Sequence, residues 1–233
     1  MNPYTLHQNK IITEIYNELG RGEEAQRSIA AWYELRDSFA TPGDKPEERV
    51  RQLKQYAKDK IYSQVLGGDP EAARLYDQKE ARGFTPTEGV SNLLESLRKV
   101  GVQVAIVSES SSLTSTFAIT RFLHVYNLGH YFSDIITPVG GFDVEGRLVD
   151  SRFVGATKKS GTIYDVLKAL LQERGVAPAE GAMVGDDPIL DIENAKLRSF
   201  IGIQYTGVVD RGRSKVADYV IDAWSEFPSI FWP

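Results

Sequence analysis

A chain of 233 residues with 42% hydrophobic and 25% charged positions has the make-up of an ordinary globular protein, long enough for one large domain or a core with a smaller companion. A net charge of −5 argues against a sequence-independent nucleic-acid binder, and the absence of cysteine excludes disulfides, thiolate zinc sites and cysteine nucleophiles. No apolar run approaches the ~18 residues of a membrane span and no signal-peptide segment opens the chain, so a soluble, cytoplasmic protein with no membrane partner is expected.

Residues 1–83 read as helical throughout. Ile11, Ile12, Ile15, Tyr16 and Leu19 recur at helical spacing, and Gly20 stops the run. A second helix carries Ile29, Trp32, Tyr33 and Leu35. A third, from near Pro46, places Val50, Leu53, Tyr56, Ala57 and Ile61 on one face and closes at Gly67-Gly68; a fourth opens at Asp69-Pro70. The aromatic positions of this stretch fit packing better than a ligand box. No β-type alternation occurs, so a small all-helical domain is expected.

The pattern changes after Phe84-Thr85-Pro86. Thr87 to Val100 predicts an amphipathic helix ended by Gly101, and Val102 to Val107 a buried strand of the parallel-sheet kind. That strand runs into the polar cluster Ser108-Glu109-Ser110-Ser111-Ser112. A helix around Phe117–Phe122, a strand at Ile135-Ile136-Thr137, a helix from Ser160 to Arg174 and strands at Met183-Val184, Phe200–Ile203 and Tyr219–Ile221 follow. Strand and helix in alternation over residues 84–233 predict a doubly wound α/β core with a parallel sheet.

One stretch of that core is chemically dense. After Met183-Val184 come Gly185, Asp186, Asp187, then Pro188, suited to a first helical turn, and Asp191. Three carboxylates thus gather where a strand ends and a helix begins, the edge at which ligands sit in open α/β sheets. Like charges crowd at a cost unless a cation or hydrogen bonds offset it, and hard oxygen ligands of this kind suit Mg²⁺. A helix N-terminus supplied with acids for its dipole would give the same run. The histidines His7, His124 and His130 show no metal-ligand spacing.

The order of elements and three motifs resemble the haloacid-dehalogenase-like (HAD) superfamily, whose members are mostly phosphatases. Val104-Ala105-Ile106-Val107-Ser108 is similar to its second motif, Lys158 or Lys159 to its third, and Gly185-Asp186-Asp187-Pro188 with Asp191 to its fourth, an acidic magnesium-binding loop. The resemblance implies that residues 1–83 form the family's helical cap, which sets specificity, and that the substrate is a small phosphorylated metabolite. It implies that Ser108, Glu109 and their backbone N–H groups bind phosphate and that Lys158 or Lys159 neutralises it. Asp186, Asp187 and Asp191 would hold Mg²⁺, with Asp191 also able to orient the lysine. The acids also argue against a dehalogenase, which needs no magnesium.

The family's first motif, an apolar strand ending in D-x-D-x-T that carries the aspartate nucleophile, should precede the cap. The chain opens Met1-Asn2-Pro3-Tyr4, and Asp37, Asp44, Asp59 and Asp69 follow helical or turn sequence, so the nucleophile is expected to be absent. Phe142-Asp143-Val144-Glu145-Gly146 imitates the motif, but the preceding Pro138-Val139-Gly140-Gly141 cannot supply its apolar strand, and Glu145-Gly146-Arg147-Leu148 resembles a hairpin that the superfamily's phosphoserine-phosphatase-like branch carries ahead of its lysine. Two expectations stand: a phosphomonoester hydrolase whose given sequence has lost its start, or a catalytically silent relative that binds a phosphorylated ligand or a protein. In either case the missing strand belongs mid-sheet, so its two neighbours must be left unpaired or the gap closed.

Overall fold

The computed structural model describes residues 3–38, 58–83, 85–208 and 211–227. In chain order the helices are α1 (Pro3–Glu18), α2 (Ala25–Ser38), α3 (Pro70–Gly83), α4 (Val90–Lys99), α5 (Leu113–Val125) and α6 (Thr162–Glu173). The strands are β1 (Val104–Val107), β2 (Phe132–Thr137), β3 (Gly140–Phe142), β4 (Leu148–Asp150), β5 (Ala182–Gly185), β6 (Ile201–Tyr205) and β7 (Tyr219–Ile221). They form two compact units, Met1–Thr85 with Ser110–Gly129, and Pro86–Glu109 with His130–Pro233.

The first unit is helical. Ile11, Ile12, Ile15 and Tyr16 of α1 pack with Trp32 and Leu35 of α2, Ile61 and Val65, and Leu75 and Tyr76 of α3 in one apolar core. The periodic positions of the sequence are the buried ones, because a helix can hide only one stripe. Asp69 starts α3 by accepting the N–H groups of Glu71 and Ala72 at 2.8 and 3.1 Å, and Arg21 bonds its other oxygen at 2.7 Å. Of the expected third helix, residues 39–57 lie outside those described; its end, Lys58–Val65, is helical.

The sequence division assigned residues 110–129 to the α/β core. They group instead with the helical unit, where α5 lies against α3 and Arg121 forms an ion pair with the buried Asp77. Asp77 also accepts the Tyr62 hydroxyl at 2.5 Å. Periodicity marks α5 as a helix but does not say which neighbour covers it.

The second unit is the α/β core, with strands paired in two sheets rather than one. β1 and β2 are parallel, and β3 and β4 extend that sheet antiparallel; β5, β6 and β7 are parallel throughout. α4 starts at Val90 rather than Thr87 because Gly89 takes a left-handed φ of 83° before it. Apolar layers cover the sheets on both sides. Leu93 and Leu97 of α4 lie with Val104, Val184, Ile203, Ile221 and Phe227; Ile163 and Tyr164 of α6 lie with Val107, Ile136, Met183 and Phe200. Both sheets contribute to both layers, so they share one set of covering helices.

Burial follows the pairing. β2 and β6 each lie between two paired strands, and their residues Ile135, Ile136 and Thr137, and Gly202, Ile203 and Gln204, are buried. β1 and β5 have no fully buried residue, and Ala105 and Ala182 are exposed. Among the described residues no helix is long and apolar enough to cross a membrane.

Candidate functional site at the strand ends

β5 delivers Gly185 to the sheet edge, and the chain turns there into a helical stretch from Pro188 to Lys196. Asp187 caps that stretch: its Oδ1 accepts the N–H groups of Ile189 and Leu190 at 3.0 and 2.9 Å. The first turn is wide, with Ile192 N–H bonded to Asp187 O at 3.3 Å, the spacing of a π-bulge. This winding brings Asp191 back over the end of β5. A side-chain carbon at Gly185 would overlap the Asp191 carboxylate, so only glycine fits beneath it.

Asp191 is buried and both its oxygens are engaged. Oδ2 accepts Asp187 N–H at 3.0 Å and Oδ1 accepts Lys158 Nζ at 2.6 Å. The Lys158 and Asp191 side chains are 10% and 7% exposed, so the pair is desolvated and each charge depends on the other. Lys158 is held at its backbone as well: its N–H donates to Glu109 Oε2 at 2.6 Å, and its carbonyl accepts from Asn194 Nδ2 at 2.7 Å. Three segments are tied at one point: the exit of β1, the loop before α6 and the helix after β5. Tyr164 of α6 adds a bond from its hydroxyl to Leu190 O at 2.9 Å. Burial, then the nearby Asp191 charge, hold that phenol well above its usual range, so it stays a donor.

Asp186 points elsewhere. Its Oδ2 accepts Arg211 Nε at 2.5 Å, and Arg211 Nη1 stands 3.5 Å from Asp187 Oδ2. Arg211 is placed by Gln204, fully buried on β6, which donates to Gly212 O at 2.7 Å and accepts Ser214 N–H at 2.7 Å.

These positions sort the expected residues. Of Lys158 and Lys159, Lys158 is buried at the strand ends and Lys159 is exposed. Ser108 lies at the end of β1, its N–H spent on Ile136 O at 2.9 Å. Glu109, expected at the phosphate, serves the Lys158 backbone instead; a carboxylate repels a phosphate dianion and is suited to accepting an N–H. Asp186, Asp187 and Asp191, expected as a magnesium set, do not converge: among the described residues no group of three or more His, Cys, Asp or Glu is placed to hold a metal ion. The donor type suits a hard cation, but the oxygens already accept from Lys158, Arg211 and backbone N–H groups, and the Arg211 guanidinium supplies the neutralising charge. As they stand the residues do not fit the ion. The imitation of a nucleophile at Asp143 is the turn of the β3–β4 hairpin, where Asp143 accepts the N–H groups of Glu145 and Arg147 at 3.1 and 2.9 Å.

Sequence reasoning did not single out Asn194, Tyr164, Gln204 or Arg211. Asn194 was within reach of a spacing argument, three residues after Asp191 and so on the same helix face. Arg211 offered no signal, since its partners are 24 and 25 positions away.

An α/β core with a lysine–aspartate pair at the carboxyl ends of its parallel strands, in a chain that also forms an all-helical unit, defines a Rossmann-like architecture. Residues 5–197 match the family model for haloacid dehalogenase-like hydrolases, and the chain belongs to that family. Among solved structures it resembles a HAD phosphatase from Thermococcus onnurineus, with TM-score 0.57 and 19% identity over 97% of this chain and 89% of that one. A 2-haloacid dehalogenase from Pseudomonas syringae pv. Tomato gives 0.55 and 14% over 98% and 90%. The HAD-family protein YfnB of Bacillus subtilis, with bound magnesium, gives 0.54 and 14% over 98% and 92%. At these identities the likeness is one of fold. A search of the curated proteins found no match.

Proposed function

We propose that this HAD-like hydrolase chain is of the phosphatase branch, that it holds the phosphate of a small phosphomonoester at the ends of β1 and β5, and that it does not turn it over alone. The observation that carries the reading is Lys158. A buried ammonium is costly, and Asp191 at 2.6 Å supplies its counter-charge while Glu109 and Asn194 fix its backbone. Such a compact, preorganised cation suits a phosphoryl oxygen.

Turnover also needs a nucleophile in line with the scissile bond. Glu109, Asp187 and Asp191 each accept hydrogen bonds from the protein, and Asp186 faces Arg211. None of them stands ready to attack. The test is phosphate binding by calorimetry beside a panel of phosphomonoesters: the chain is expected to bind phosphate, to lose that binding on Lys158→Met, and to hydrolyse nothing above the Lys158→Met background. Mg²⁺-dependent turnover abolished by Asp186→Asn would overturn the reading. A second reading, a silent protein that binds a polypeptide, is favoured by the divided sheet.

A further inference from the structure

Lys158 is presented by a tight turn, and its backbone carbonyl is the hub of that turn. The carbonyl accepts Gly161 N–H at 3.0 Å and Asn194 Nδ2 at 2.7 Å, one donor from the turn and one from the helix after β5. Gly161, just before α6, takes a left-handed φ of 77°. Over it lies Arg198, just past the helical stretch that follows β5. A side-chain carbon at Gly161 would overlap the Arg198 guanidinium, so only glycine fits beneath it. The same guanidinium bonds both sides of the joint. Its Nε and Nη2 donate to the two oxygens of Asp165, in the first turn of α6, at 3.0 and 3.1 Å. Its Nη1 donates to the Asn194 carbonyl at 3.3 Å. Asn194 thus grips Lys158 with its side chain while Arg198 grips the Asn194 backbone. The contact to Asp165 is bidentate, a geometry that a guanidinium fork provides and an ammonium does not. The Arg198 side chain is 18% exposed, so it is packed in place.

We infer that Arg198 is a positioning residue for Lys158: it clasps the turn 157–161 and α6 onto the helix after β5, and so fixes where the Lys158 ammonium stands. The need for a clasp lies in the lysine itself. Its stem is flexible, so the bond to Asp191 alone leaves the ammonium free to follow any movement of its backbone. A phosphoryl oxygen needs that charge in one place, and a misplacement of about 1 Å removes most of the effect of a preorganised group. Asn194 and Tyr164 tie the same two segments, so loss of Arg198 loosens the joint without opening it. Arg198 therefore acts through Asn194 and Gly161, not by its charge on the ligand. Asp165 separates these two modes by sign. As partner of the clasp, its loss frees Arg198 and weakens phosphate binding. If charge alone governed the site, removing a nearby acid would tighten the binding of a phosphate dianion. The inference rests on the reading of Lys158 as the cation that holds phosphate.

The test compares the full chain with Arg198→Gln, Asp165→Ala and the double variant. Inorganic phosphate binding is measured by calorimetry, and acetylation of each lysine by acetic anhydride is followed by mass spectrometry. Each single variant is expected to bind phosphate about tenfold more weakly, with its circular dichroism spectrum retained. Acetylation of Lys158 should quicken by about fivefold or more, while the exposed Lys10 and Lys99 keep their rates. The double variant should match either single one, because the two side chains form one contact. A merely structural role would change all the lysines together. The inference is overturned by an unchanged Lys158 rate, by faster acetylation of every lysine alike, or by tighter phosphate binding in Asp165→Ala. Should Arg198→Gln fail to fold, Asp165→Ala, whose side chain is 56% exposed, carries the same test. A wild-type chain that binds no phosphate, with Lys158 labelling that still responds to both variants, overturns the function proposed above and leaves the clasp standing.

Discussion

If Lys158 and Asp191 hold the site together, removing either should cost far more than removing both. Their charged atoms are 2.6 Å apart and about nine-tenths buried, and at an effective dielectric of about 20 their attraction is ~6 kcal/mol before desolvation is subtracted. Lys158→Met leaves Asp191 buried with only Asp187 N–H, and Asp191→Leu leaves an ammonium without its counter-charge. Each single change is expected to destabilise the chain by about 3–5 kcal/mol. The double variant replaces the pair by apolar side chains and should recover about 1–4 kcal/mol of that loss. A whole-domain stability of about 5–15 kcal/mol makes these differences easy to resolve by urea unfolding followed by circular dichroism, provided the urea slope is unchanged between variants. Single variants that cost less than about 1 kcal/mol, or costs that simply add in the double variant, would refute the argument that the pair is desolvated and mutually dependent.

Three further outcomes follow from named contacts. Gly185→Ala should cost about 1–3 kcal/mol through overlap with Asp191, and should relax the Lys158–Asp191 pair visibly in a crystal structure of the variant. Arg211→Ala releases Asp186 and leaves Asp187 and Asp191 the nearest acids, so Mg²⁺ binding measured by calorimetry should appear or tighten in the variant; equal or weaker binding would show that Arg211 does not stand in for a cation. Asp69 is held below the usual aspartate range, first by the N–H of Ala72 and then by Arg21. Its contribution is complete above the unfolded value near pH 4 and is lost as pH falls through the lower folded value. The melting-temperature difference between wild type and Asp69→Asn should therefore be constant at neutral pH and shrink in acid below about pH 4.

Periodicity and punctuation were enough to find nearly every helix and strand, because those features record which face of an element is hidden. Ile11, Ile12, Ile15 and Tyr16 lie in the helical core, and Gly20, Gly67 and Gly68 adopt the left-handed φ that their places at helix ends require. Asp187-Pro188 opens a helix, as its composition predicts, and the Asp143–Arg147 turn closes a hairpin. Order along the chain also suffices for an α/β core with a helical companion.

What adjacency cannot decide is which of two similar residues faces inward and which distant residue meets it. Lys158 and Lys159 are equivalent in sequence; Glu109 and Asn194, 49 and 36 positions away from Lys158, select the first by gripping its backbone. Asp186, Asp187 and Asp191 form one motif in the chain, yet Arg211 draws off one, a helix cap uses another and Lys158 takes the third. The grouping of α5 with α3 and the division of the sheet between β1 and β5 likewise depend on pairings across the fold. Local sequence sets backbone conformation and amphipathic face, whereas charge pairing and strand pairing are interactions between segments, and only the tertiary structure chooses among the partners that a linear sequence leaves open.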